Sequence, residues 1–233
     1  MTARVGHAPL VVLGPDQCPD VTTAAWDIET CPLPEEGYSS VQKVRLEKLS
    51  DAEMRRNPDS DPEEVDRRVR SVTATLGWIC CLSVHVRAHT GQSHTFSYSA
   101  SSPDEESSLI QQFWMYAERA PIHTWLTFNG KFFDVRFLLQ RSAHHGIPPL
   151  NRDVIQDHKY RHTPHCDLSY FYDRLGLADV CELLGVETPK EGSVTASTVW
   201  KAVEEGRIDE VVEYCERDVV ATMECYLKTP FIS

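Results

Sequence analysis

Two carboxylates sit one residue apart in "TTAAWDIETCPLP", a stretch that otherwise reads as a buried strand. Side chains alternate across a strand, so Trp26 and Ile28 share one face while Ala25, Asp27 and Glu29 share the other. Adjacent like charges raise each other's pKa and weaken the strand unless a cation lies between them. Hard divalent ions such as magnesium and manganese prefer oxygen donors, carboxylates above all, so the pair reads as two metal ligands. On its own, an acidic-x-acidic pattern also fits a solvated strand face.

Two further segments place acids where a core should be. In "TFNGKFFD", Asn129 ends a strand, the glycine allows a sharp turn, and Asp134 falls in the first turn of the next helix. Amide dipoles there favour negative charge and should keep the Asp134 carboxylate ionised. Phe133 and Phe137, one turn apart, form part of an apolar wall, although a capping Asp beside two core phenylalanines fits equally. In "RIDEVVEYCERDVVATMECYLK" the apolar stripe runs Val211, Cys215, Thr222, Cys225, and Asp218 interrupts it. A charge facing a core is costly unless paired or metal-bound. Tyr214 lies four residues before Asp218 and projects from the same face.

The order of the three segments carries more than any one of them. Asp-x-Glu on a first strand, Asn-x3-Phe-Asp at a strand-to-helix turn and Tyr-x3-Asp on a last helix resemble the exonuclease motifs of the DEDD superfamily, in its tyrosine subgroup. The likeness is to the 3′–5′ exonuclease domain of family B DNA polymerases, and in particular to stand-alone exonucleases related to it, with no polymerase region. It runs from about Ala24 to Lys228 and includes "HCDLSYFY" and "GLADVCELLGV". The resemblance implies an α/β, RNase H-like mixed sheet flanked by helices. It implies two divalent cations, Mg2+ or Mn2+, held by Asp27, Glu29, Asp134 and Asp218. Tyr214 would orient the attacking water, and Asn129 and Phe133 would help place the terminal nucleotides. The implied reaction is stepwise hydrolysis from the 3′ end of single-stranded nucleic acid, DNA ahead of RNA, releasing 5′-mononucleotides. An RNA-trimming exoribonuclease, or a binding module with the same fold and little catalysis, are the alternatives.

The elements that position these residues follow from periodicity and turn signals. "GWICCLSVHV" and "SHTFSYSA" read as a hairpin around "AHTGQ"; "SPDEESSLIQQFWMYAERA" reads as a helix with Leu109, Ile110, Phe113, Trp114 and Ala117 inward. "IHTWLTFNG" is a fourth strand, "FFDVRFLLQRSAHHG" a helix and "HCDLSYFY" a short fifth strand. Helices at about 176–185, 195–205 and 207–227 close the chain. Residues 38–71 are strongly charged and read as an inserted pair of exposed helices around "NPDSDP". Arg55, Arg56, Arg67, Arg68 and Arg70 in that insertion either touch phosphates or belong to a solvated surface.

The chain of 233 residues is read as a single exonuclease domain with an N-terminal extension at 1–20. At 41% hydrophobic and 25% charged residues it can bury a real core. It has no apolar run of about 18 residues and no signal-peptide layout, so no membrane partner and a cytoplasmic location are expected. Eight cysteines, Cys18, Cys31, Cys80, Cys81, Cys166, Cys181, Cys215 and Cys225, are scattered without a CxxC pair and read as buried free thiols. His162, His165 and Cys166 lack a second pair to complete a zinc site, and Asp167 reads as a strand-end carboxylate. A net charge of −12 argues against bulk attraction to nucleic acid. The stretch from Lys131 to Cys166 is locally basic, with Lys131, Arg136, Arg141, Arg152, Lys159 and Arg161 against Asp134, Asp153 and Asp157. Charge acts locally, within a Debye length of roughly 8 Å.

Overall fold

The structure, a computed structural model, describes residues 22–173, 175–189 and 192–232. The expected extension at 1–20 and Cys18 lie outside the described residues. A five-stranded mixed sheet in the order β3-β2-β1-β4-β5 forms the frame. It is built from β1 (Thr22–Pro32), β2 (Gly77–Ala88), β3 (Ser93–Ser99), β4 (Ile122–Thr127) and β5 (His165–Asp167). The hairpin β2–β3 and the pair β1–β2 are antiparallel, whereas β1–β4 and β4–β5 are parallel. This is the α/β sheet flanked by helices that the motifs imply.

The alternation in β1 works as expected. Trp26 faces α3 (Glu106–Arg119), with its ring centroid 5.4 Å from that of Phe113. Ala25 faces the other way and packs with Leu126, Cys166 and Val219 of α7 (Ile208–Leu227). At Glu29 the register with β2 shifts: Glu29 opposes Cys81 and Thr30 opposes Ile79, leaving Cys80 as the extra residue. Such a bulge bends a strand and re-aims its side chains. The pairing of β1 with β4 stops at Ala25 and Leu126, so the two strands part just before Asp27. Ligand sites of parallel sheets open in such a gap beyond the carboxyl ends of the strands.

The inserted helices are α1 (Ser40–Arg56) and α2 (Pro62–Ser71), flanking the break at 57–61. Ser39 and Gln42 form a capping box, and Asp61 caps α2 with Pro62 at its first position. The pair is not wholly exposed. Leu46, Val65 and Val69 form a small core with Tyr38 and Leu76, and the Tyr38 hydroxyl donates to Leu76 O at 2.6 Å. The Arg67 guanidinium lies 4.5 Å from the ring of Trp200 on α6 (Val199–Glu204), which is shorter than the helix expected over 195–205. The fifth strand is also shorter than "HCDLSYFY", because residues after Asp167 turn into a 3-10 segment, Leu168–Phe171.

Candidate active site

Asp27 and Glu29 project from β1 beside α7, where their carboxylate oxygens and the Cys215 sulfur all lie within 4.8 Å of one another. Asp134 is the first residue of α4 (Asp134–His144) and is 3% exposed. Its Oδ1 accepts from the Ile28 amide at 3.1 Å, taking the N–H that β4 leaves unpaired where the strands part. One residue therefore completes the edge of β1 and brings a third carboxylate to Asp27. Asp218 reaches the cluster from α7, and Tyr214, one turn earlier, engages its carboxylate. The four acids expected from the sequence converge, with the tyrosine beside them.

The electrostatics follow from burial. Asp27 is held well above the usual carboxylate range by desolvation, then by Asp134, Glu29 and Asp218. Glu29 is raised well above its ordinary value by burial and by Asp218, Cys81 and Asp134. Burial pushes Asp134 up to about 7 despite the Ile28 hydrogen bond, and Asp218 up to about 6 despite Tyr214 and Arg217. The balance for all four carboxylates is upward, which marks crowded oxygen donors short of positive charge. Hard divalent cations fit such a donor set. Tyr214 is driven upward by burial and by Glu29, Asp218 and Asp27, so its phenol stays protonated.

Asn129 and Phe133 sit on the turn that delivers Asp134. Asn129 lies beyond the end of β4, not within it, and it takes the left-handed conformation with φ 63°. The adjacent glycine serves a different need from the one its position suggests. A Cβ on Gly130 would stand 2.4 Å from Thr127 Cβ, so Gly130 permits close approach while Asn129 makes the turn. Asp167 pins this turn. Its two oxygens accept from the amides of Asn129 at 2.8 Å and Lys131 at 2.9 Å, and from Ser169. Asp167 is 1% exposed, so its role is to hold the turn. Phe133 is half-buried against Phe137, with ring centroids 5.6 Å apart, whereas its neighbour Phe132 is 62% exposed. Together they line a groove of about 160 Å³ with Val72, Ala74, Arg136 and Phe137.

Two site neighbours escaped sequence reasoning. Cys215 reads as core by periodicity, yet its thiol points at Asp27 O and Oδ2, at 3.6 and 3.7 Å. Phe132 reads as the first residue of the helix in "FFDVRFLLQRSAHHG", with no signal to set it apart; α4 instead begins at Asp134, which leaves Phe132 on the turn and exposed. His165 donates through Nδ1 to Val154 O at 2.8 Å and, being neutral, accepts through Nε2 from the Thr127 hydroxyl at 2.9 Å deep in the core, so this histidine serves packing. Four of the insertion's arginines are engaged in ion pairs. Arg56 and Arg68 reach Glu53, Arg67 reaches Glu63, and Arg70 reaches Glu35 and Asp66. Arg70 is not a solvated residue, since its side chain is 14% exposed between Glu35 and Asp66.

Residues 72–233 match the family described as "Predicted 3'-5' exonuclease related to the exonuclease domain of PolB". The chain belongs to that family. The match takes in Asn129, Phe133, Asp134, Tyr214 and Asp218 and begins after the insertion, so Asp27 and Glu29 lie upstream of it. Among solved structures, the chain is similar to the family B DNA polymerase from the hyperthermophilic archaeon Pyrobaculum calidifontis, at 16% identity and a TM-score of 0.53. That alignment covers 90% of this chain and 25% of the polymerase, so the chain spans a quarter of that protein, and the likeness is one of fold. No curated protein matches the sequence. Among the described residues, no helix is long and apolar enough to cross a membrane.

Proposed function

We propose that the protein hydrolyses phosphodiester bonds stepwise from the 3′ end of single-stranded nucleic acid, DNA in preference to RNA, releasing 5′-mononucleotides. The observation that carries this reading is the convergence of Asp27, Glu29, Asp134 and Asp218 from three separate elements onto one cluster short of positive charge. These four would hold two divalent cations, Mg2+ or Mn2+. When bound, the cations supply a lowered pKa for the attacking water and stabilise charge on the phosphate and leaving oxygen.

The chain's own residues then divide the remaining work. Tyr214, kept protonated, offers a neutral hydroxyl that orients the attacking water and does not act as a base. Asn129 and Phe133 flank the terminal nucleotides from the turn that Asp167 fixes. Stacking on an aromatic ring tolerates any base, which suits removal of successive nucleotides. We read the chain as one exonuclease domain, the 38–71 insertion forming a side wall of it. Its seven described cysteines, all free thiols, support a reducing, cytoplasmic setting.

End-labelled single-stranded DNA and RNA, incubated with Mg2+, Mn2+ or chelator, test the reading. Metal-dependent ladders from the 3′ end of DNA are expected, abolished by Asp27→Ala and by Asp218→Ala with the fold retained. Ladders on RNA alone would assign an exoribonuclease, and binding without cleavage a non-catalytic module. Full activity in either variant would refute the site assignment.

A further inference from the structure

Four of the insertion's arginines, Arg56, Arg67, Arg68 and Arg70, are held in ion pairs, whereas the cations beside the site turn are not. Arg136, Lys159 and Arg161 are exposed, and no carboxylate among the described residues lies in ion-pair contact with them. Two of them lie over aromatic rings. The Arg136 guanidinium stands 5.1 Å from the centroid of the exposed Phe132, and the Lys159 ammonium 5.3 Å from that of Tyr170.

These contacts join into a path. Phe132 precedes Asp134 on the site turn and Arg136 follows it in α4; the Tyr170 hydroxyl is pushed up by burial and by Asp167, and is close enough to Arg136 for its charge to oppose that shift. The Tyr160 ring is 64% exposed and stands 6.0 Å from Tyr170 and 6.3 Å from Phe171. Lys131, three residues before Asp134, donates through its Nζ to His158 O at 2.7 Å and so ties the loop carrying Lys159 and Tyr160 to the site turn. Tyr160 itself takes the left-handed conformation at φ 60°, uncommon for a bulky residue and costly unless its surroundings hold it. Two exposed rings, Phe132 and Tyr160, and two half-buried ones, Tyr170 and Phe171, interleaved with unpaired cations in a chain of net charge −12, fit an anion that also presents flat apolar faces. Single-stranded nucleic acid has both properties.

We propose that Phe132, Arg136, Tyr170, Lys159, Tyr160 and Phe171 form a track for the single strand upstream of the 3′ end, its bases on the rings and its phosphates on the cations. The inference rests on the exonuclease reading and specifies how a longer substrate is gripped. It makes affinity depend on length: a strand of about 4 nucleotides is held by Asn129 and Phe133 on the site turn alone, and one of about 12 also covers the track, within the span of known single-strand grooves.

The test is binding of fluorescein-labelled oligothymidylate of those two lengths to the full chain in chelator, where no cleavage occurs. Tyr160→Ala should weaken binding of the longer strand about 10-fold, with Tyr160→Phe restoring it, because stacking on one ring contributes roughly that factor. Lys159→Ala should lower the slope of log affinity against log salt by about 0.7. Binding of the short strand should stay unchanged, and thermal melts would establish that each variant is folded. Loss of long-strand affinity in a chain that cleaves nothing upholds the track and removes the exonuclease reading. Wild-type binding of both strands by the variants, with cleavage intact, removes the track and leaves the exonuclease. Failure of the wild type to prefer the longer strand also overturns the track.

Discussion

The carboxylate cluster makes the metal-free protein less stable as pH rises, and Asp134 sets the magnitude. Its carboxyl titrates at about 7 in the folded protein against 3.8 for a free side chain. A group raised in this way contributes stability that is fully present below the unfolded value and is lost as pH climbs through the folded one. Between about pH 5 and about pH 8 the loss from this residue is on the order of 2–3 kcal/mol. His165 acts in the opposite sense: burial depresses it to about 3, so it destabilises the fold as pH drops below its ordinary 6.5. Comparing wild type with Asp134→Asn cancels that contribution, since both proteins carry His165, and the asparagine still accepts from Ile28. Urea unfolding in chelator should therefore show wild type losing on the order of 2–3 kcal/mol to the variant across that pH range. Adding Mg2+ or Mn2+ should reverse the trend for wild type alone, because the cation binds the deprotonated carboxylates. A wild-type-to-variant difference that stays constant with pH, or widens in favour of wild type at high pH without metal, would refute the reasoning.

Three further perturbations probe the scaffold. Asp167→Ala leaves the Asn129 and Lys131 amides without their acceptor and should cost about 3 kcal/mol in chemical denaturation, with cleavage falling as the turn loosens. Gly130→Ala should cost about 1–3 kcal/mol, since the added methyl meets Thr127 and the turn must shift; a neutral result in a thermal melt would contradict the packing. Glu106→Ala strands the Arg141 guanidinium, whose Nη2 lies 2.6 Å from the carboxylate, together with the Ile79 amide. It should cost about 3–5 kcal/mol while leaving the metal affinity of any folded fraction unchanged, as titration calorimetry can check.

Much of this site was legible because its residues break local rules. Asp27 and Glu29 violate the apolar face of β1, and Asp218 interrupts the stripe of α7; a residue that opposes its own element's periodicity announces that something else satisfies it. Position within an element was less legible than presence. Gly130 looks like the turn-former, but the left-handed residue is Asn129, because what decides between them is the distance to Thr127 across the turn. Cys215 obeys the helical stripe, so nothing in the sequence separates it from Cys225, although one faces Asp27 and the other lies 3.6 Å from the Cys181 sulfur. The cations were the least legible. Arg68 and Lys159 look equivalent in a sequence, and only tertiary packing brings Glu53 to the first and an aromatic ring to the second.

The parting of β1 from β4 explains why the cluster forms where it does. A parallel pair that continued past Ala25 and Leu126 would consume the Ile28 amide in the ladder and leave Asp134 no backbone donor. Because the strands diverge there, the sheet needs an acceptor at that point, and the first residue of α4 supplies it along with a negative charge. Folding energy thus holds a carboxylate that its neighbours repel. The two roles separate by substitution: Asp134→Asn keeps the Ile28 bond and removes the repulsion, whereas Asp134→Ala removes both and leaves a buried amide unpaired, at about 1–3 kcal/mol. In chelator at about pH 8 the asparagine variant should therefore exceed wild type in stability and the alanine variant should fall below the asparagine one. Both should fail to gain stability from Mg2+ as wild type does. If alanine and asparagine prove equally stable, the Ile28 bond contributes nothing and the strand gap must be held open by other contacts.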